Sequence, residues 1–278
     1  MIFRQTKFDN KKELQQLVDL QNIVYQHRGL HFSIDGFKYW YKENPIGEVV
    51  SYSAFDQDRM VAHYACIPTQ MKIDNRVVNG VLSMAVVTHP DYRGKGLFKI
   101  LAQKTYDKAK ELGYEFVVGV ANANSFPIFM RNFPFTYIGQ LDVKWGWGRI
   151  QIPTNKTFSH YWNLQSLQWR LKKSKYSKHS DNAFGTYGNI PFIKTFMGQL
   201  PFELLAQINI KTTNFFKRPL NLYVGMGGDL SHGHYFNFPK FVKHSPFHLR
   251  FMDITKDQHL PKVTKDNIVF QLIDFDVA

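Results

Sequence analysis

The chain has 278 residues, of which 44% are hydrophobic and 21% are charged, and this globular composition excludes a disordered or collagen-like protein. Its 35 Lys and Arg residues outweigh its 22 Asp and Glu residues, for a net charge of +13; a positive surface favours anionic ligands such as nucleic acid, acidic lipid or a polyphosphate. The single cysteine, Cys66, excludes an intramolecular disulfide and a cysteine-rich zinc module.

The first 90 residues predict two helices and a group of strands. A helix should begin after Asn10, because Glu13 follows at the spacing of a capping box. Ser33 should cap a second helix, which the Asn-Pro pair at 44–45 ends. Strand-like runs occupy 2–7, 48–56, 60–67 and 76–88, and the last three predict an antiparallel meander.

The stretch from 88 to 145 predicts a strand, a turn, a helix and a second strand. A basic turn with two glycines covers Arg93 to Gly96, and the amphipathic helix after it should end at Gly113, where helices favour a left-handed residue. The run at 115–120 is typical of a buried strand. A short helix at 122–132 and a strand from Phe135 to Trp145 complete this part.

Beyond residue 150 the periodic patterns are weaker. They predict a helix at 160–175 and strands at 219–224, 247–253 and 267–275. No internal repeat or low-complexity linker separates the two parts of the chain. We therefore expect an N-terminal domain of residues 1–150 and a C-terminal extension of residues 151–278 that packs on it.

The turn Arg93-Gly94-Lys95-Gly96, between a strand and a helix, has the most informative chemistry in the sequence. Glycines allow a tight turn in which several backbone N–H groups converge on one point. The following helix adds the positive end of its dipole, and Arg93 and Lys95 add full charges. The turn therefore predicts a pyrophosphate site, and it is neither a GxxxxGK(S/T) loop nor a GxGxxG fingerprint.

The run from Val87 to Gly96, VTHPDYRGKG, resembles the acetyl-CoA-binding motif of the GNAT N-acetyltransferases. Arg93 and Gly96 match the superfamily signature, and Phe98 stands where the family has a small residue. The residues of this motif are most similar to those of larger GNAT members that have a C-terminal extension. The resemblance implies a mixed α/β fold: a GNAT-like N-terminal domain with an antiparallel meander and a CoA-binding strand–turn–helix, followed by a C-terminal α/β extension.

The resemblance also implies which residues would bind the acetyl-CoA (or other acyl-CoA) cosubstrate. Backbone groups of three strand residues would pair with the pantetheine arm and polarise the thioester carbonyl, and the turn would hold the pyrophosphate. The implied cofactor-binding residues are Ala85, Val86, Val87, Arg93, Gly94, Lys95, Gly96, Leu97, Phe98 and Asn124.

The residues that would move protons are less defined. After the central strand the family has a tyrosine that protonates the CoA thiolate, and Met130 stands at that position here. His63, on the strand next to the motif strand, titrates in the range of a general base and is our candidate. Glu48, Asp56, the terminal carboxylate of Ala278 and a chain of water molecules are the alternatives.

The expected function is that of an acyl-CoA-dependent N-acetyltransferase. It would move an acetyl or other acyl group from CoA to a primary amine of a small or nucleotide-linked acceptor such as an amino sugar, without a metal. Residues 151–278 contain 16 basic and 8 acidic side chains, which favours a bulky anionic acceptor.

The sequence also allows a non-catalytic function, and it predicts where in the cell the protein is found. A non-catalytic module would bind CoA or nucleic acid without turnover, and the basic stretch 170–180 is the part that nucleic acid would contact. No apolar run reaches the roughly 18 residues of a membrane span, and the N-terminus lacks the apolar core of a signal peptide. We therefore expect a cytoplasmic protein.

Overall fold

A computed structural model describes residues 1–28, 31–172, 176–185, 193–212, 219–238 and 245–275. The chain forms two compact units that alternate along the sequence. The first comprises Met1–Thr69, Asn79–Gly119 and Met252–Leu260, and the second comprises Gln70–Val78, Val120–Phe251 and Pro261–Ala278. The architecture is mixed α/β, as the resemblance implied.

The strands and helices have the following bounds. The strands are β1 (Ile2–Gln5), β2 (Val50–Asp56), β3 (Arg59–Ile73), β4 (Arg76–Thr88), β5 (Phe116–Ala121), β6 (Thr136–Gln140), β7 (Asp142–Gly148), β8 (Phe158–His160), β9 (Ser177–His179), β10 (Asn182–Gly185), β11 (Ile193–Gln199), β12 (Lys211–Thr212), β13 (Leu220–Met226), β14 (Gly233–Asn237), β15 (His248–Asp253) and β16 (Phe270–Gln271). The helices are α1 (Lys11–Tyr25), α2 (Ile34–Lys42), α3 (Leu97–Glu111), α4 (Phe126–Asn132), α5 (Leu164–Lys172), α6 (Phe202–Ala206) and α7 (Leu272–Phe275).

The strands of the described residues form two mixed sheets. One has the order β1-β2-β3-β4-β5-β15-β6, with β8 beside β3. The other has the order β12-β9-β10-β11-β13-β7-β14, with β16 beside β13. In the first sheet β2 pairs antiparallel with β3, as the predicted meander requires, and β4 lies next to β3. β1 pairs antiparallel with β2, and β4 and β5 pair parallel.

The two N-terminal helices begin at the predicted residues. The side chain of Asn10 accepts hydrogen bonds from N–H groups of the first turn of α1, and the hydroxyl of Ser33 does the same for α2. The carboxylate of Glu13 accepts the N–H of Lys7 at 3.0 Å. The predicted capping box therefore closes on Lys7 instead of on the N-cap residue itself.

Two of the predicted strands are wrong in part. The run from Phe135 to Trp145, predicted as one strand, is divided at Leu141 between β6 and β7, which lie in different sheets. The run 267–275 contains a two-residue strand followed by α7. The predicted helix at 160–175 is α5, and residues 173–175 lie outside the described residues.

Each compact unit has a buried core. In the first unit, Cys66 on β3 has 0% of its surface exposed. In the second unit, burial raises the pKa of Asp274 to about 7. This carboxyl accepts the Nε1–H of Trp162 at 3.3 Å and the backbone N–H of Gln271 at 2.7 Å. None of the described helices is long and apolar enough to cross a membrane.

Candidate functional site

The glycine-bearing turn connects the end of β4 to the first residue of α3. Gly94 and Gly96 have φ angles of +76° and +71°, a left-handed conformation that glycine adopts without steric cost. A Cβ atom built on either glycine would meet nothing within 4 Å. The turn is therefore tight, and its glycines face open space.

The N-terminus of α3 is open as well. Its N-cap is Gly96, and no side chain accepts a hydrogen bond from the first turn. Arg93 and Lys95 are exposed beside it, and the Nζ of Lys95 lies 4.5 Å from the ring centroid of Tyr92. Uncapped N–H groups at the positive end of a 15-residue helix, together with two cations, form a site for an anion.

The turn is attached to the strands beside it through two side chains. The hydroxyl of Tyr92 donates to Oδ2 of Asp56 at 2.6 Å, and Nη2 of Arg59 donates to Nε2 of His89 at 2.8 Å. Because a guanidinium can only donate, Nε2 of His89 accepts this hydrogen bond, and Nδ1 of the same ring accepts the backbone N–H of Asp91 at 3.3 Å. His89 is thus a structural residue of the turn, and Asp56 is engaged by Tyr92.

The motif strand β4 separates from β5 before it reaches the turn. Within the part of the chain that the structure describes, the two strands pair from Gly80 to Leu82, opposite Phe116–Val118, and β4 continues to Thr88. The Phe116 ring lies where a Cβ atom on Gly80 would be, 2.4 Å away. This close packing requires a glycine. Beyond Leu82, one edge of β4 is not paired with β5.

The backbone of Val86 faces this unpaired edge. His89 N–H donates to the carbonyl of Val61 on β3 at 2.8 Å, and bonding alternates along antiparallel strands. Val87 therefore bonds toward β3, and the N–H and C=O of Val86 point to the opposite side. Of the three residues predicted to pair with pantetheine, Val86 has the orientation that this pairing needs.

A residue that the sequence did not identify reaches the same edge. The hydroxyl of Tyr25, the last residue of α1, donates to the carbonyl of Val86 at 3.2 Å. The Tyr25 ring packs against Phe32, with centroids 5.7 Å apart. Sequence patterns give no sign of this contact because the two residues are 61 positions apart in the chain.

Comparison with known proteins agrees with this geometry. Residues 6–138 match the family model of the acetyltransferase (GNAT) domain. This region of the chain is similar to the GNAT acetyltransferases. No curated protein matches the sequence.

Two solved structures extend the likeness beyond the GNAT domain. A GCN5-related N-acetyltransferase from Kribbella flavida has a TM-score of 0.63 and 10% identity, covering 92% of this chain and 72% of the other. A conserved protein of unknown function from Enterococcus faecalis V583, described as a probable N-acyltransferase, has a TM-score of 0.59 and 9% identity, covering 92% and 73%. Similarity at this level of identity establishes a shared fold, and it includes the C-terminal extension.

Two further members of the predicted GNAT site have their side chains in the protein interior. Leu97 is buried, and the half-buried ring of Phe98 packs edge-on against Tyr64, with centroids 5.8 Å apart. Tyr64 in turn shares a hydrogen bond with the hydroxyl of Tyr106 at 2.6 Å. Leu97 can therefore contact a ligand at the turn only through its backbone, and the packing of Phe98 turns part of its ring away from the turn. The large side chain of Phe98 is explained by this packing.

The asparagines after β5 lie in the second compact unit. Oδ1 of Asn122 accepts the N–H groups of Asn124 and Ser125 at 3.0 and 2.9 Å, and its carbonyl accepts the N–H of Phe126 at the start of α4. Asn122 therefore organises the entry to the helix. Asn124 has an exposed side chain. Met130, half-buried on α4, cannot supply a proton.

The prediction that His63 is the general base does not fit its surroundings. The residue is only 1% exposed, and burial lowers its pKa to about 3. Its Nδ1 lies 2.9 Å from the hydroxyl of Ser53 and 3.3 Å from that of Thr6. His63 is thus a neutral core residue. Of the alternatives, Glu48 is exposed, and Ala278 lies outside the described residues.

The described residues contain no group of three or more His, Cys, Asp or Glu side chains that could hold a metal ion.

Proposed function

We propose that this GNAT enzyme transfers an acetyl or other acyl group from CoA to a primary amine of a small or nucleotide-linked acceptor, such as an amino sugar. The observation that carries the proposal is the open N-terminus of α3, with Arg93 and Lys95 beside it. We further propose that residues 1–150 bind the acyl-CoA and that residues 151–278 contribute to the acceptor side.

The turn suits the pyrophosphate of CoA. The phosphate oxygens would accept hydrogen bonds from the backbone N–H groups of Leu97 and Phe98, and the charges of Arg93 and Lys95 would add to the attraction. Gly94 and Gly96 would allow close approach, because no side chain projects from them. We also propose a contact from Asn124, whose exposed amide can donate and accept.

The unpaired edge of β4 suits the pantetheine arm. A chain with alternating amide N–H and C=O groups can add to a strand edge as a further strand does. The N–H and C=O of Val86 would pair with it, with Ala85 and Val87 on either side. A backbone N–H near the thioester carbonyl would also stabilise the charge that develops on its oxygen.

The chemistry requires little from side chains. The neutral amine attacks the thioester carbon, a C–N bond forms, the C–S bond breaks and CoA leaves as a thiolate. A thiol with a pKa of about 8.5 is a tolerable leaving group without prior protonation. We propose that water takes the proton from the amine, because His63 is enclosed in the core.

The charge of the second half of the sequence supports an anionic acceptor. Residues 151–278 have twice as many basic as acidic side chains. Such a surface attracts a nucleotide-linked sugar and repels a polyamine. The charge of the acceptor should therefore affect kcat/KM, and steady-state kinetics can test this.

The test is CoA release from acetyl-CoA in the presence of matched amines. A nucleotide-linked amino sugar, the same amino sugar without the nucleotide and a polyamine would be compared at equal concentration. We expect the highest kcat/KM for the nucleotide-linked sugar. A preference for the polyamine would contradict the acceptor proposal, and absence of turnover with every amine would favour the non-catalytic alternative.

A variant pair connects the activity to the turn. Arg93→Ala combined with Gly96→Glu should abolish both CoA release and the stabilisation by CoA, which for a ligand at 100 times its Kd is about 2.7 kcal/mol. Arg76→Ala combined with Gly113→Glu makes the same chemical changes away from the turn. An unchanged CoA effect in the first variant would place the cosubstrate elsewhere.

A further inference from the structure

A cleft with a volume of about 500 Å³ opens on the first compact unit, away from the glycine turn. One wall is the segment between β1 and α1, and the other is the segment that enters β2. The lining residues are Gln5, Thr6, Lys7, Phe8, Asp9, Asn10, Lys42, Glu48, Val49 and Ser51. The volume lies within the range of small-molecule sites in proteins.

Ser51, among the residues that line this cleft, is a buried hydroxyl without a partner. Ser51 is 3% exposed, and its Oγ has no hydrogen-bond partner among the described residues. The neighbouring Thr6, 8% exposed, is engaged with Ser53 at 2.8 Å. A buried polar group left unsatisfied is costly and uncommon in folded proteins. A polar ligand in the cleft would give Ser51 its missing hydrogen bond.

The cleft has two charges of each sign. Lys42 and Asp9 form an ion pair with each other. The hydrogen bond that Lys42 donates to Asp9 is the main cause of the raised pKa of Lys42, and the charge of Glu48 adds to it. Lys7 and Glu48 are both exposed, and within the described residues neither belongs to an ion pair. One cation and one carboxylate therefore remain available.

This charge pattern selects the class of ligand. An anion such as phosphate would meet the carboxylates of Asp9 and Glu48, and a metal ion would meet the two lysines. A zwitterion satisfies both: its carboxylate pairs with Lys7 and its ammonium with Glu48. Phe8, packed against Tyr41 with centroids 5.1 Å apart, adds an apolar wall for a side chain.

We propose that this cleft binds a small zwitterion, of the size and chemistry of an α-amino acid. The Ser51 hydroxyl bonds to the polar end of the ligand, and Lys7 and Glu48 hold its two charges. The site shares no residue with the glycine turn or the unpaired edge of β4. Its occupancy can therefore be measured without acyl-CoA.

The test is isothermal titration with the twenty proteinogenic amino acids, on the full chain and without CoA. For an amino acid that binds, the N-acetyl derivative lacks the ammonium and the carboxamide lacks the carboxylate. We expect each derivative to bind at least tenfold more weakly than its parent. Absence of heat for all twenty at 10 mM, or equal affinity for parent and derivatives, would overturn the proposal.

Three variants locate the site. Glu48→Gln and Lys7→Gln should each weaken binding about tenfold, and Glu43→Gln and Lys11→Gln are exposed controls of the same chemistry outside the lining. Ser51→Ala should weaken binding and yet raise the Tm of the free protein, because it removes a buried unsatisfied hydroxyl. Unchanged affinity in Glu48→Gln and Lys7→Gln would overturn the assignment, as would a lowered Tm with unchanged affinity in Ser51→Ala.

Discussion

Tyr25 occupies a carbonyl to which we propose that the pantetheine arm binds. Its hydroxyl donates to the carbonyl of Val86 at 3.2 Å on the unpaired edge of β4, so an amide of the arm that bonds to this carbonyl would compete with it. A hydrogen bond of this kind contributes about 0.5–1.5 kcal/mol. We predict that Tyr25→Phe lowers the Kd for CoA about 2- to 10-fold, measured by titration calorimetry.

A second tyrosine separates this effect from general loosening of the fold. Tyr52→Phe makes the same change on β2, outside the proposed site, and should leave CoA affinity unaltered. If Tyr25→Phe binds CoA more weakly than the wild type, the hydroxyl supports the bound arm and does not compete with it.

His63 should make the stability of the protein depend on pH. Its pKa is about 3 in the folded protein, against about 6.5 in an unfolded chain. Between these values the unfolded chain binds a proton at His63 and the folded protein does not. The contribution is therefore complete above pH 6.5 and is lost as the pH falls toward 3, at about 1.4 kcal/mol per pH unit.

The variant His63→Gln should lack this dependence. Between pH 7.5 and pH 5.0 we predict that the wild type loses about 2 kcal/mol more unfolding free energy than the variant, measured by urea denaturation. Asp274 has a raised pKa and acts in the opposite direction, but it is common to both proteins and cancels in the difference. Parallel curves for the two proteins would show that His63 is accessible to protons.

At the scale of elements, α3 has a left-handed glycine beyond each end. Gly96 and Gly113 have φ angles of +71° and +83°, and a Cβ atom on either would meet nothing within 4 Å. Asparagine tolerates this conformation better than other residues with a side chain. We predict that Gly96→Asn and Gly113→Asn have similar small effects on Tm, and that only Gly96→Asn weakens CoA binding, by about tenfold or more.

The pair is informative because the two changes are alike in everything except position. Equal CoA affinity in both variants, measured by titration calorimetry, would remove the pyrophosphate from the N-terminus of α3. A large loss of Tm in Gly96→Asn alone would mean that Gly96 serves mainly the stability of the fold and not CoA binding.

The elements that could be predicted are those with local signals. The caps of α1 and α2, the glycine after α3 and the charged turn before it are set by residues a few positions apart. The division at Leu141 depends on partner strands far along the chain, β15 for β6 and both β13 and β14 for β7. Local alternation therefore predicted one strand where the fold has two.

In the candidate site, too, only the features with local signals could be predicted from the sequence. The turn follows from Arg93 to Gly96 alone, because glycine and charge act locally. The contact between Tyr25 and Val86 and the enclosure of His63 arise from packing of distant segments. A single sequence does not contain the pairing information that would reveal them.

At the scale of the whole molecule, the net charge of +13 predicts how binding responds to salt. CoA is a compact anion, and we propose that it binds at one turn, so we expect its Kd to rise less than about tenfold between 50 and 200 mM salt. A protein that contacts several phosphates of a nucleic acid loses about 10³- to 10⁵-fold over the same interval.

The experiment titrates CoA and a DNA duplex side by side at four salt concentrations. We expect measurable CoA affinity throughout and no tight duplex binding at 150 mM. Tight binding of duplex or single-stranded nucleic acid at that concentration would favour the alternative of a nucleic-acid-binding module.

The single thiol of the chain reports how often the first sheet opens to solvent. Cys66, fully enclosed on β3, cannot meet a chromogenic disulfide reagent until its strand opens. Colour that develops during turnover therefore comes from released CoA, with little background from folded enzyme. In the absence of substrate, the slow labelling of Cys66 measures the rate at which the centre of the first sheet exposes itself to solvent.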